Sequence, residues 1–119
     1  MSDVAVIKFG GTSVKSIGRI QHGFEARPDL CAVDNKVPPM DYLGRFYVDS
    51  LVHHPGMLRY MLELMGPRCI ALGTDYPFPL GEDRPGELIA SLNLDEATRA
   101  RLLLGTALEW LNLPRERFA

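Results

Sequence analysis

"CIALGTDYPFPLG", residues 69–81, joins an unbroken apolar run to a turn crowded with proline and glycine. "CIALGTD" (Cys69 to Asp75) reads as a strand, apolar without alternation, the pattern of a strand covered on both faces. Such strands belong to a parallel sheet flanked by helices. Asp75 closes the run, so its carboxylate is expected at the strand's C-terminal edge, where ligand and metal sites gather in parallel α/β architectures. A carboxylate there suits a divalent cation or serves as a base. An ordinary turn-forming Asp-Tyr-Pro segment is the alternative.

Upstream, "RFYVD" (45–49) is a second strand candidate. In "HPGMLRYMLELMG" (54–66), Met57, Leu58, Met61, Leu62 and Met65 are spaced as one apolar helix face, closed by Gly66 and Pro67. The methionines read as core filler. His53 and His54 precede this helix; neighbouring side chains diverge, so loop filling or helix capping is expected rather than joint metal ligation. "RPDLCAVDNKVPPMDYLG" (27–44) has little periodicity and is expected as a long loop, with Asp29, Asp34 and Asp41 in turn chemistry or paired with an arginine. Downstream, "LDEATRARLLLGTALEWLNL" (94–113) predicts two helical pieces, capped by Asn93 or Asp95 and interrupted at Gly105. At the N-terminus "VAVIKF" (4–9) reads as a strand ending at Gly10-Gly11, followed by weak helical spacing over 13–24. Strands alternating with helices give an α/β fold with a parallel sheet.

The 119 residues suit one small domain, and 46% hydrophobic with 24% charged content suits a packed core. A formal charge of −2 and no run of Lys or Arg argue against nucleic acid or an anionic membrane as partner. No apolar run reaches the ~18 residues of a membrane span, and no signal-peptide pattern shows; a cytoplasmic chain is expected. Cys31 and Cys69 match no zinc-finger spacing and read as reduced thiols.

Arg19, Arg27 and Arg45 are candidates for carboxylate recognition, because guanidinium offers a bidentate fork; each alone also fits a solvated surface charge. Lys8, Gly10, Gly11, Thr12 and Ser13 have the make-up of a phosphate cradle, with backbone N–H groups, a lysine charge and small hydroxyls. They match neither the P-loop nor the dinucleotide pattern.

Two resemblances meet near residues 17–20. "VIKFGGTSVKSIGRI" (6–20) resembles the N-terminal signature of aspartate kinases, in which this strand and loop line the nucleotide and aspartate site. It covers residues 1–20 only. "GRIQHGFEARPDLCAVDN" (18–35), "DYLGRFYVDSLVHHPGMLRYMLELMG" (41–66), "LGTDYPFPLGE" (72–82), "PGELIASL" (85–92) and "LLLGTALEWLNL" (102–113) resemble the aminocarboxymuconate-semialdehyde decarboxylase family of the amidohydrolase superfamily. That resemblance implies that residues 17–119 are the last third of a (β/α)8 barrel, its final strands and C-terminal helices, with an extra N-terminal strand before them. It implies that Asp75 is a zinc ligand at the end of the last barrel strand. It implies that Arg19 and Arg27 bind the carboxylate of a small dicarboxylate-type substrate, inserted from a neighbouring subunit, so a homo-oligomer is possible. Thr106 stands where the family has asparagine, with a cost expected to stay local.

The family's HxH pair, mid-barrel histidine ligand and catalytic histidine have no counterpart in this chain. Catalytic zinc takes about three protein ligands and an open position, and a whole barrel takes at least ~200 residues. The expectation is therefore a decarboxylase fragment that is inactive alone. A non-catalytic assembly module and a nucleotide-binding fragment are the alternatives. Gly10 and Gly11 then predict a turn rather than a phosphate site, and residues 7–24 read as a junction.

Overall fold

The computed structural model describes residues 17–118, in two compact units that divide between Tyr42 and Leu43. The expected strand at 4–9 and the cradle of Lys8, Gly10, Gly11, Thr12 and Ser13 lie outside the described residues.

In the first unit, helix α1 (Ile17–Ala26) is followed by the short α2 (Pro28–Cys31) and a 3-10 turn, Pro39–Tyr42. Residues 27–44 are thus less bare than a loop. Pro28 opens α2 because its fixed φ is already helical and its missing N–H has no partner to lose there. Asn35 makes a side-chain turn, its Oδ1 accepting from Val37 N at 3.0 Å, while its Nδ2 donates to the Tyr42 hydroxyl at 2.7 Å. Gln21 ties α1 to the 3-10 turn by accepting from Met40 N at 3.1 Å.

The second unit is built on a β-α-β crossover. Strands β1 (Val48–Asp49) and β2 (Ile70–Ala71) pair in parallel, Val48 opposite Ile70 and Asp49 opposite Ala71. Helix α3 (Pro55–Met65) connects them. His54 caps α3, its Nδ1 accepting from Gly56 N at 3.0 Å, as expected for this pair. Gly66 ends α3 at φ +75°, with its N–H on Leu62 O at 3.0 Å. Leu58 is fully buried on this helix, and Met61, Leu62 and Met65 pack against the core. Met57 departs from expectation: at the margin of the apolar stripe it is 49% exposed.

Beyond β2 lie helices α4 (Glu87–Ser91), α5 (Glu96–Ala100) and α6 (Thr106–Leu111). Asp95 caps α5, accepting from Thr98 N at 3.0 Å. Gly105 does not break the helical path as expected. Residues Arg101–Gly105 form a π turn between α5 and α6, with Thr106 N reaching Arg101 O one residue beyond α-helical spacing. In this widened turn, Leu102 O accepts from Leu72 N at 2.9 Å. That bond is why β2 is shorter than its apolar run: at Leu72 the strand leaves its neighbour and bonds to the helix.

Leu58, Ile70, Ile89, Leu92 and Leu102 form the core, each 0–1% exposed. Arg59 braces it, donating to Leu92 O at 2.9 Å. Thr106 is fully buried, and its hydroxyl donates to Pro67 O at 2.9 Å, joining α6 to the turn that precedes β2. That bond joins residues 39 positions apart in the chain. Cys31 is exposed, Cys69 is buried, and both are free thiols.

Candidate active-site edge

The parallel pair directs both strands toward one edge, and the residues after β1 and β2 meet there. Past the end of β2 the chain runs through Leu72, Gly73 and Thr74 to Asp75, whose φ of +54° lies in the left-handed region. Side chains rarely hold that conformation, although aspartate tolerates it better than most. His53, beyond β1, has φ +55°. Non-glycine residues kept in this region tend to cluster at functional sites.

The loop that carries Asp75 closes on itself through its backbone. Phe78 N donates to Asp75 O at 2.8 Å, Gly81 N to Phe78 O at 2.9 Å, and Glu82 N to Thr74 O at 2.8 Å. A Cβ at Gly81 would stand 2.5 Å from Thr74 O, so only glycine permits this neck. The Tyr76–Pro77 peptide is cis. Tyr76, Phe78 and Leu80 turn outward, 65–86% exposed, and Asp75 is exposed beside them.

Asp49, at the end of β1, leans across Gly73. A Cβ at Gly73 would lie 2.5 Å from Asp49 Cβ and 3.1 Å from its Oδ2, so the glycine makes room for that carboxylate. Asp49 Oδ1 accepts from Leu51 N at 2.9 Å. Next to this edge is an open groove of about 290 Å³, lined by Ser50, Leu51, His53, Glu82, Glu87 and Leu88 among others. Glu82 is partly buried and accepts from Gly86 N and Leu88 N at 3.2 and 3.0 Å. Asp49, Gly73, Gly81 and Glu82 were not singled out from sequence. The glycines flanking "TDYPFPL" were the available signal, since a glycine beside a strand end marks a close approach.

Arg19 and Arg27 belong to the first unit and Asp75 to the second. Arg19 is exposed on α1. Arg27 precedes α2 and holds Asp29 by a two-pronged bond, Nε to Oδ1 at 2.9 Å and a terminal nitrogen to Oδ2 at 2.7 Å. This bond lowers the Asp29 carboxyl below its ordinary value and raises the Arg27 guanidinium. Both side chains are about 60% exposed, so the pair adds little stability.

Among the described residues no three His, Cys, Asp or Glu side chains group to hold a metal ion. A catalytic zinc takes about three protein ligands. The donor set described here does not make a zinc site. Nor is any helix among the described residues long and apolar enough to cross a membrane.

The amidohydrolase family model matches residues 5–113. The chain is 53% identical over 110 residues to the 2-amino-3-carboxymuconate-6-semialdehyde decarboxylase of Dictyostelium discoideum, covering 92% of this chain and 31% of that protein. It is 46% identical over 80 residues to the protein of the same name from Caenorhabditis elegans, covering 67% of this chain and 20% of that one. The chain thus spans less than a third of the length of these relatives. With a family match across most of its length, this chain belongs to the amidohydrolase family.

Proposed function

We propose that residues 17–119 are the closing portion of a zinc-dependent decarboxylase barrel, acting on a 2-amino-3-carboxymuconate-6-semialdehyde-type dicarboxylate in the cytoplasm. In this reading Asp75 is one metal ligand, and Arg19 and Arg27, reaching in from a neighbouring subunit, hold substrate carboxylate. Residues 1–20 are a kinase-like start with no phosphate role. The observation that carries the reading is Asp75 itself: an exposed carboxylate in the loop that follows β2, four residues past its end at Ala71, held at φ +54° by a turn closed through backbone hydrogen bonds. Ligands in open and closed parallel α/β folds lie beyond the C-terminal ends of the strands. The 53% identity to a decarboxylase supplies the reaction class.

The metal, when held by a complete ligand set, supplies Lewis acidity and an activated water. The residues of this chain contribute position and charge. Arg27 must exchange Asp29 for a substrate carboxylate, an exchange made cheap by the exposure of the pair. With one carboxylate in place of a ligand set, the chain by itself is inactive. A chimera tests this: residues 17–119 replace the matching segment of the Dictyostelium relative. Zinc binding and turnover are expected, with both lost in the Asp75→Asn chimera. Turnover undiminished by Asp75→Asn would refute the assignment.

A further inference from the structure

We propose that Glu82 is a positioning residue for Asp75, coupling the loop 74–82 to the start of α4; the proposal rests on the reading of Asp75 as the functional carboxylate. Glu82 is bonded in two directions. Its backbone N–H donates to Thr74 O at 2.8 Å, fixing the residue just before Asp75. Its carboxylate reaches the other way, Oε2 accepting from Gly86 N at 3.2 Å and Oε1 from Leu88 N at 3.0 Å.

The far end of this link is rigid. Gly86 is left-handed at φ +85° and buried, and a Cβ there would stand 3.0 Å from Leu103 Cδ2. Ile89 and Leu92, which follow it, are 1% exposed in the core. The near end is not rigid by itself. Residues 75–80 are all exposed, so no buried apolar contact anchors the tip that bears Asp75. A left-handed aspartate persists only where its surroundings over-determine it. The bonds from Phe78 N to Asp75 O and from Gly81 N to Phe78 O define the turn, and Glu82 is where that turn meets the core. Hydrogen bonds to a charged acceptor are about twice as strong as neutral ones, which suits a carboxylate to this task.

Amide hydrogen exchange of the whole chain tests the coupling, in Glu82→Ala and Glu82→Gln. In Glu82→Ala, exchange is expected to quicken about tenfold or more at Gly86 and Leu88, which lose their acceptor. A parallel quickening is expected at Phe78 and residue 82, whose acceptors are Asp75 O and Thr74 O. The Asp75 three-bond HN–Hα coupling should move away from its left-handed value. Glu82→Gln keeps one carbonyl acceptor and should give a smaller, parallel change. The Leu72 and Gly66 amides, bonded to Leu102 O and Leu62 O, report on whether the fold persists. If Glu82→Ala disturbs these as well, Glu82→Gln decides. Faster exchange at Gly86 and Leu88, with Phe78, residue 82 and the Asp75 coupling unchanged, overturns the proposal. A chimera that binds zinc without Asp75 would remove the metal role and leave this coupling standing.

Discussion

At the scale of single residues, two contacts make sharp demands. Thr106 is fully buried with its hydroxyl on Pro67 O. Thr106→Val keeps the shape but leaves that carbonyl unpaired, and urea unfolding should show a loss of about 1–3 kcal/mol. Gly73 has no room for a methyl group beneath Asp49. Gly73→Ala should lower the melting temperature, and adding Asp49→Gly should recover most of the loss, because the three atoms nearest to the added methyl all belong to Asp49. Equal loss in the single and double variants would show that the crowding lies elsewhere. How legible such residues were depended on type. His54 and Asp95 were readable because caps before helices follow from local chemistry. Asp49 and Glu82 were not, since their work depends on a neighbouring strand and on a helix start several residues away.

At the scale of elements, α3 and the parallel pairing followed from periodicity, while boundaries did not. β2 ends at Ala71 because Leu72 N turns to Leu102 O, a bond between residues thirty positions apart that no local pattern encodes. The same π turn accounts for Gly105, which a propensity argument reads as a break. Glu109 on α6 ties these pieces together, bonded to Arg68 before β2 at 2.8 Å and to Arg101 in the π turn. The bond from Arg68, foremost, with the charge of Arg101, lowers the Glu109 carboxyl below its ordinary value. Asp95 is lowered too, by its bonds to Thr98. A carboxyl lowered in the folded state stabilises the fold above its unfolded pKa, and that contribution disappears as pH falls through the folded value. Stability should therefore be level near neutrality and decline below about pH 4, the ordinary carboxylate range. Glu109→Gln should flatten part of this decline in urea melts taken across pH. An unchanged slope would show that the pair is dissolved by solvent.

At the scale of the whole molecule, the second unit has two short parallel strands and exposed Tyr76, Phe78, Leu80, Trp110 and Phe118. Parallel strands are ordinarily covered on both faces, and unpaired edges promote association. Sedimentation velocity should show concentration-dependent association; a single monomer boundary across a hundredfold range of about micromolar concentrations would contradict it. Family membership was legible in long matching stretches, whereas zinc binding depends on ligands that a local motif does not bring. On the proposed function, this chain carries one part of a decarboxylase site and not the reaction. The most direct measurement is carbon dioxide release from 2-amino-3-carboxymuconate-6-semialdehyde by the purified chain with saturating zinc. No release above buffer is expected, whereas turnover that disappears in Asp75→Asn would show that the chain alone carries a working site.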